Sequence, residues 1–146
     1  MFLYRKLAQV GQEKMTAFMS ADHPLAGKPG NGIRLADLKD HPLIVPSRDA
    51  IVDMIYKWFK EINCEPKIVC KMDNYLDVAA LASQGVGISL FPKTSYVLNP
   101  QIAVKEITDS SRDIEYIFVW LKGKPLQQID ETFVDHVQAT ANGIAR

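Results

Sequence analysis

Hydrophobic positions along this chain fall into short blocks whose period changes from one block to the next, and the changes mark the elements. Leu43-Ile44-Val45 is an apolar run stopped by Pro46, the pattern of a buried strand. Ile51, Val52, Ile55, Trp58, Phe59 and Ile62 then recur at helical spacing, which predicts a helix over residues 49–63 with Lys57, Lys60 and Glu61 on its solvent side. Residues 67–72 read as the next strand. Asn74 is a helix cap, followed by a short apolar helix, the glycines Gly85 and Gly87, and a strand through Ile88 and Leu90 that Pro92 ends. The glycines supply the freedom to leave a helix and enter a strand directly. The order is strand, helix, strand, helix, strand, which favours a parallel sheet of an α/β fold.

Outside this block the pattern is weaker. Leu3, Leu7 and Val10 sit at helical spacing in a stretch of mixed polarity, and residues 15–20 read as a strand. Residues 22–32 are rich in Pro and Gly and form a loop or hinge; residues 35–38 suggest one helical turn. Residues 93–101 read as a loop with room for a turn around residues 95–98, residues 104–107 as a short strand, and residues 109–113 as a polar turn. Residues 114–121 alternate Tyr116, Phe118, Trp120 with Ile117, Val119, Leu121. A strand apolar on both faces needs cover on both. Leu126, Ile129, Phe133 and Val137 mark a final amphipathic helix.

Composition narrows the class. The 146 residues are 47% hydrophobic and 23% charged, ordinary for a globular domain, and the formal net charge is zero. A neutral chain has no global field to draw nucleic acid, so it is not expected to bind DNA by itself. No apolar run approaches the ~18 residues of a membrane span, and the N-terminus lacks a signal-peptide pattern. The expected compartment is the cytoplasm, with no membrane partner. Cys64 and Cys70 read as free thiols rather than a disulfide or zinc framework.

No enzyme constellation emerges. His23, His41 and His136 are scattered and lack spaced metal-ligating partners, so no metal or cofactor is expected. The serines lack a nucleophile elbow. Gly85-Val86-Gly87 follows a helix and precedes a strand, the reverse of a phosphate-binding order, and reads as turn geometry. Trp58, Phe59 and Trp120 read as core.

The strand-to-helix loops remain. Open α/β sheets bind ligands beyond the carboxyl ends of their strands. Those ends are Pro46-Ser47-Arg48-Asp49 and Asp73-Asn74-Tyr75, each leading into a helix N-terminus with free N–H groups. Ser47 offers a hydroxyl, and Arg48 a bidentate donor for carboxylate or phosphate. The plainer alternative is that Ser47 or Asp49 caps the helix, Arg48 is solvated and Asn74 is a routine cap.

Three stretches resemble the effector-binding domain of LysR-type transcriptional regulators. They are Asp22-His23-Pro24-Leu25-Ala26, Leu35-Ala36-Asp37-Leu38-Lys39-Asp40-His41-Pro42-Leu43-Ile44, and Ala79-Ala80-Leu81-Ala82-Ser83-Gln84-Gly85-Val86-Gly87-Ile88-Ser89-Leu90-Phe91-Pro92. The tail Val119-Trp120-Leu121-Lys122-Gly123-Lys124 with its following helix is similar too. The resemblance spans residues 15–138.

It implies a periplasmic-binding-protein-like (type 2) α/β fold with one complete Rossmann-like subdomain, residues 22–103, plus part of a second. Residues 1–21 and 104–146 would then be crossover segments and the remnant of the first subdomain. It further implies a ligand-sensing role without enzyme activity, with Pro46, Ser47, Arg48, Asn74, Tyr75 and, from a crossover, Ile107 around a small effector that Arg48 suggests is anionic. A homo-oligomer is expected, and DNA contact only through a helix-turn-helix that this sequence lacks. On that reading the chain is a C-terminal portion holding half a cleft, and the strand over residues 114–121 loses some of its cover. A stand-alone solute-binding domain of the same fold is the alternative; an enzyme of this fold, a deaminase or a lyase, would need a catalytic dyad that is not found.

Overall fold

The computed structural model describes residues 3–93, 99–109 and 113–144. The chain divides into two compact units, Lys14–Arg112 and a second made of Met1–Glu13 with Asp113–Arg146. The expected turn over residues 95–98, and residues 110–112 of the expected polar turn over 109–113, lie outside the described residues.

In the larger unit the strand–helix alternation is as the sequence predicts. β1 (Tyr4–Ser20) enters it at Lys14, and two-residue β2 (Gly32–Ile33) follows. Then come β3 (Pro42–Val45), α1 (Asp49–Glu61), β4 (Lys67–Lys71), α2 (Tyr75–Ser83), β5 (Ile88–Pro92) and β6 (Ile102–Ile107). The strand order is β2-β6-β1-β5-β3-β4. β3 runs parallel to both β4 and β5, as two helical crossovers require. β1 is antiparallel to β5 and β6, so the sheet is mixed rather than wholly parallel.

The core lies on both faces of that sheet. Phe18, Leu43, Ile44, Val45, Ile55, Phe59 and Leu90 are fully buried, and Val52 and Trp58 nearly so. Each large apolar side chain here contributes ~1.5–3 kcal/mol of burial, and α1 is held by that face.

Both helices end in a left-handed residue. After α2, Gly85 has φ 74°, its N–H donates to Ala82 O at 3.0 Å, and the Val86 N–H donates to Leu81 O at 3.1 Å. This is the paired bonding of a Schellman motif. After α1, Asn63 takes the same place with φ 55°, and the Cys64 N–H donates to Phe59 O at 3.0 Å. Gly87 serves a different need: a Cβ there would lie 2.9 Å from Pro42 O. Its absence lets β5 lie close against β3.

One buried charge was not foreseen. Lys105 on β6 is 7% exposed, and its ammonium donates to the carbonyl oxygens of Lys28, at 2.7 Å, and Gly30. It pins the Pro/Gly-rich loop to the sheet. Charge burial of this kind is tolerated because the ammonium is hydrogen-bonded.

The smaller unit pairs the first part of β1 with β7 (Asp113–Leu121) and adds α3 (Gln128–Ile144). The Lys122 N–H donates to Leu3 O at 2.7 Å, and the Gln12 side chain donates to Asp113 at 2.9 Å, which fixes an antiparallel pair. The helical spacing of Leu3, Leu7 and Val10 is therefore not realised. β7 gives this stretch a partner, and non-local pairing overrides a weak local period. Phe118 packs edge-on to Phe133 of α3, with ring centroids 5.8 Å apart. Trp120, expected in the core, is half-buried, and its indole N–H donates to Lys124 O at 3.0 Å.

Candidate effector site

Parallel pairing of β3 and β4 brings the two strand-to-helix loops side by side. Val45 and Lys71 are register partners, and the Met72 N–H donates to Val45 O at 2.9 Å. One step further out, the Ser47 N–H donates to Asp73 Oδ1 at 2.9 Å and the Ser47 hydroxyl donates to Asp73 Oδ2. Asp73 thereby clasps the β3–α1 loop to the β4–α2 loop. Its carboxyl is held below the ordinary carboxylate range by the Ser47 hydroxyl first, then by the Ser47 N–H, with the positive Arg48 adding to both.

The plainer readings of these loops divide. Asn74 does cap α2: its Oδ1 accepts from the N–H groups of Leu76, at 3.0 Å, and Asp77, at 3.3 Å. Neither Ser47 nor Asp49 caps α1. The N-cap is Arg48, and no side chain caps that end. Ser47 is instead committed to Asp73.

The other expected residues take distinct places. Pro46 is buried at the end of β3, while Ser47 and Arg48 are exposed. Tyr75 opens α2, half-buried, with its ring edge-on to Phe18 at 5.6 Å and to Phe91 at 6.2 Å. Burial pushes its phenol above the usual range. Ile107 is 2% exposed on β6, which β1 and β5 separate from β3. The structure thus gathers Pro46, Ser47, Arg48, Asn74 and Tyr75, and places Ile107 on β6, with two strands between it and β3. Asp73, which joins them, was legible only as a loop residue.

Two histidines read as scattered also meet. His23 and His41 lie edge-on with centroids 4.9 Å apart, and His23 Nδ1 accepts from the Leu25 N–H at 3.1 Å. Each precedes a proline, a shared signal that could have paired them. No group of three or more metal-ligating side chains occurs among the described residues. Cys64 and Cys70 are free and half-buried.

Comparison with known proteins adds a family. Residues 6–142 match the profile of the LysR substrate binding domain. The chain is 32% identical over 73 residues to the HTH-type transcriptional regulator BsdA of Bacillus subtilis (strain 168), a match taking in 47% of this chain and 25% of BsdA. Among solved structures it is similar to the effector binding domain of QuiR in complex with shikimate, at TM-score 0.83 and 24% identity over 97% of this chain and 66% of that one. It is also similar to the CcmR regulatory domain of Synechocystis PCC6803 in complex with 2-PG, at TM-score 0.75 and 20% identity over 94% and 66%. The chain spans about two thirds of each of these two domains.

Proposed function

The chain belongs to the LysR substrate binding domain family, and from that membership we propose that it senses a small metabolite through the loops at the ends of β3 and β4. Its fold is the α/β, periplasmic-binding-protein-like type 2 fold of that family. The observation that carries the site is the meeting of Ser47 and Arg48 with Asp73, Asn74 and Tyr75 where two parallel strands end and two helices begin. Ligands bind at that edge of open α/β sheets, and because no side chain caps the first turn of α1, an acidic ligand group can approach it beside Arg48.

The effector is a small organic acid whose charged group meets Arg48. QuiR with shikimate and CcmR with 2-PG give the starting panel. Binding would bias a two-state regulator, with the DNA contact made by a helix-turn-helix domain outside residues 6–142. Calorimetry of the protein with shikimate, 2-PG and simple carboxylates tests this reading. Saturable heat with at least one acid, weakened about tenfold or more in Arg48→Gln as for loss of a charge-assisted pair, supports it. No binding by any acid, or binding that Arg48→Gln leaves intact, refutes it.

A further inference from the structure

Resting on that reading of the site, we propose that Asp73 fixes the chemical class of the effector: a hydroxylated acid, with a hydroxyl set against Asp73 and its acidic group against Arg48. The argument is a count of donors and acceptors. Ser47 has one backbone N–H and one hydroxyl proton, and both are given to the Asp73 carboxylate. What Ser47 has left is lone pairs. A carboxylate offers about four lone-pair directions, and the two Ser47 bonds leave others turned outward from an exposed side chain. Asn74 cannot supply an acceptor, because its oxygen takes two helix N–H groups. Where Ser47 meets Asp73, the loop pair therefore presents acceptors and a negative charge beside the cation Arg48, with the Asn74 amide N–H groups as its other side-chain donors.

A plain carboxylate placed on Arg48 faces Asp73 as a like charge, since Asp73 is ionised at neutral pH. A hydroxyl on the same ligand converts that repulsion into a hydrogen bond to a charged acceptor, the stronger kind. Sites built around a ligand hydroxyl discriminate against analogues lacking it, because the site's own polar group is then left without its partner. The discrimination expected at a loop as open as this one is tenfold or more, about the effect of one hydrogen bond to a charged group.

The test compares shikimate with its deoxygenated analogue cyclohex-1-ene-1-carboxylate, by calorimetry on the wild-type protein, Asp73→Asn and Arg48→Gln. Asparagine can still accept from the Ser47 N–H, so the loops stay joined, and matching thermal unfolding curves check this. In the wild type shikimate should bind at least tenfold tighter. In Asp73→Asn the plain acid should gain and the ratio fall below about threefold, the loss of one charge-assisted bond. Arg48→Gln should weaken both acids and keep the ratio. Equal affinities in the wild type, or a ratio that survives Asp73→Asn, overturn the assignment of Asp73 while leaving the sensing role in place. If neither acid, nor any other of the panel, binds the wild type, the sensing role itself falls and the assignment with it.

Discussion

Gly85 and Gly87 sit two residues apart in one turn, and the structure gives them opposite reasons to be glycine. Gly85 has φ 74° with no atom within 4 Å of where a Cβ would go. Alanine there meets only backbone strain, ~1–2 kcal/mol for a left-handed L-residue. The smaller entropy of the unfolded alanine chain offsets ~0.4–1 kcal/mol of this. The net loss for Gly85→Ala is about 0.5–1 kcal/mol, and Gly85→Asn should recover most of it because asparagine tolerates this conformation. At Gly87 the conformation is ordinary but the space is not. A Cβ would lie 2.9 Å from Pro42 O and 3.2 Å from Ile44 Cγ1. The nearest obstacle is backbone of a paired strand, so β5 and β3 must part, at about 1–3 kcal/mol. Asparagine at position 87 is larger and should be worse than alanine. Urea unfolding followed by circular dichroism, with an unchanged m-value, reads these differences directly. The sign of the Ala-to-Asn step is the decisive result: favourable at 85, unfavourable at 87. If asparagine does no worse than alanine at 87, or if Gly85→Ala is as damaging as Gly87→Ala, the division of roles is wrong.

Other expectations follow from single contacts. Asn74→Ala removes the acceptor for two N–H groups at the start of α2 and should cost about 1 kcal/mol; a midpoint unchanged in urea would show the cap to be idle. Ser89 Oγ is buried with no hydrogen-bond partner among the described residues. Ser89→Ala should therefore be neutral or stabilising by up to about 1 kcal/mol, and marked destabilisation would reveal a hidden partner. Burial, and then the neighbouring His41, hold the His23 imidazole below its ordinary value of 6.5. A folded-state pKa below the unfolded one gives stability that is complete above pH 6.5 and is lost as pH falls through the folded value. His41→Gln should soften that acid loss in thermal unfolding, and an identical pH profile would remove His41 from the account. Finally, Ile117 and Val119, on the face of β7 opposite Phe118, are 43% and 45% exposed. Such an apolar surface predicts concentration-dependent self-association that Val119→Lys reduces, and light scattering showing a monomer at every concentration would end that expectation.

What the sequence made legible was local, and what it hid was not. The span from β3 to β5 could be read because each element carries its own period and its own stop: Pro46, Asn74, Gly85, Pro92. The first part of β1 could not, because its strand character comes from β7, and Gln12 meets Asp113 across 101 positions. Lys105 gave no sign of burial, since its partners are carbonyls, which every residue possesses. The histidines met through the packing of two loops that no spacing rule connects.

The same distinction bears on the site. Helix-start logic identified the loops, because a cap and a strand end are local facts. It read their chemistry as donor-rich, because a sequence shows which groups exist and not which are spent. One residue changes that sum. Asp73 lies 26 positions from Ser47, yet the parallel register of β3 and β4 places its carboxylate on both Ser47 donors. A loop pair that would otherwise welcome any anion then asks for an acid that also carries a donor. Specificity at such an edge is therefore set less by the residues that face the ligand than by the bonds they have already made with one another.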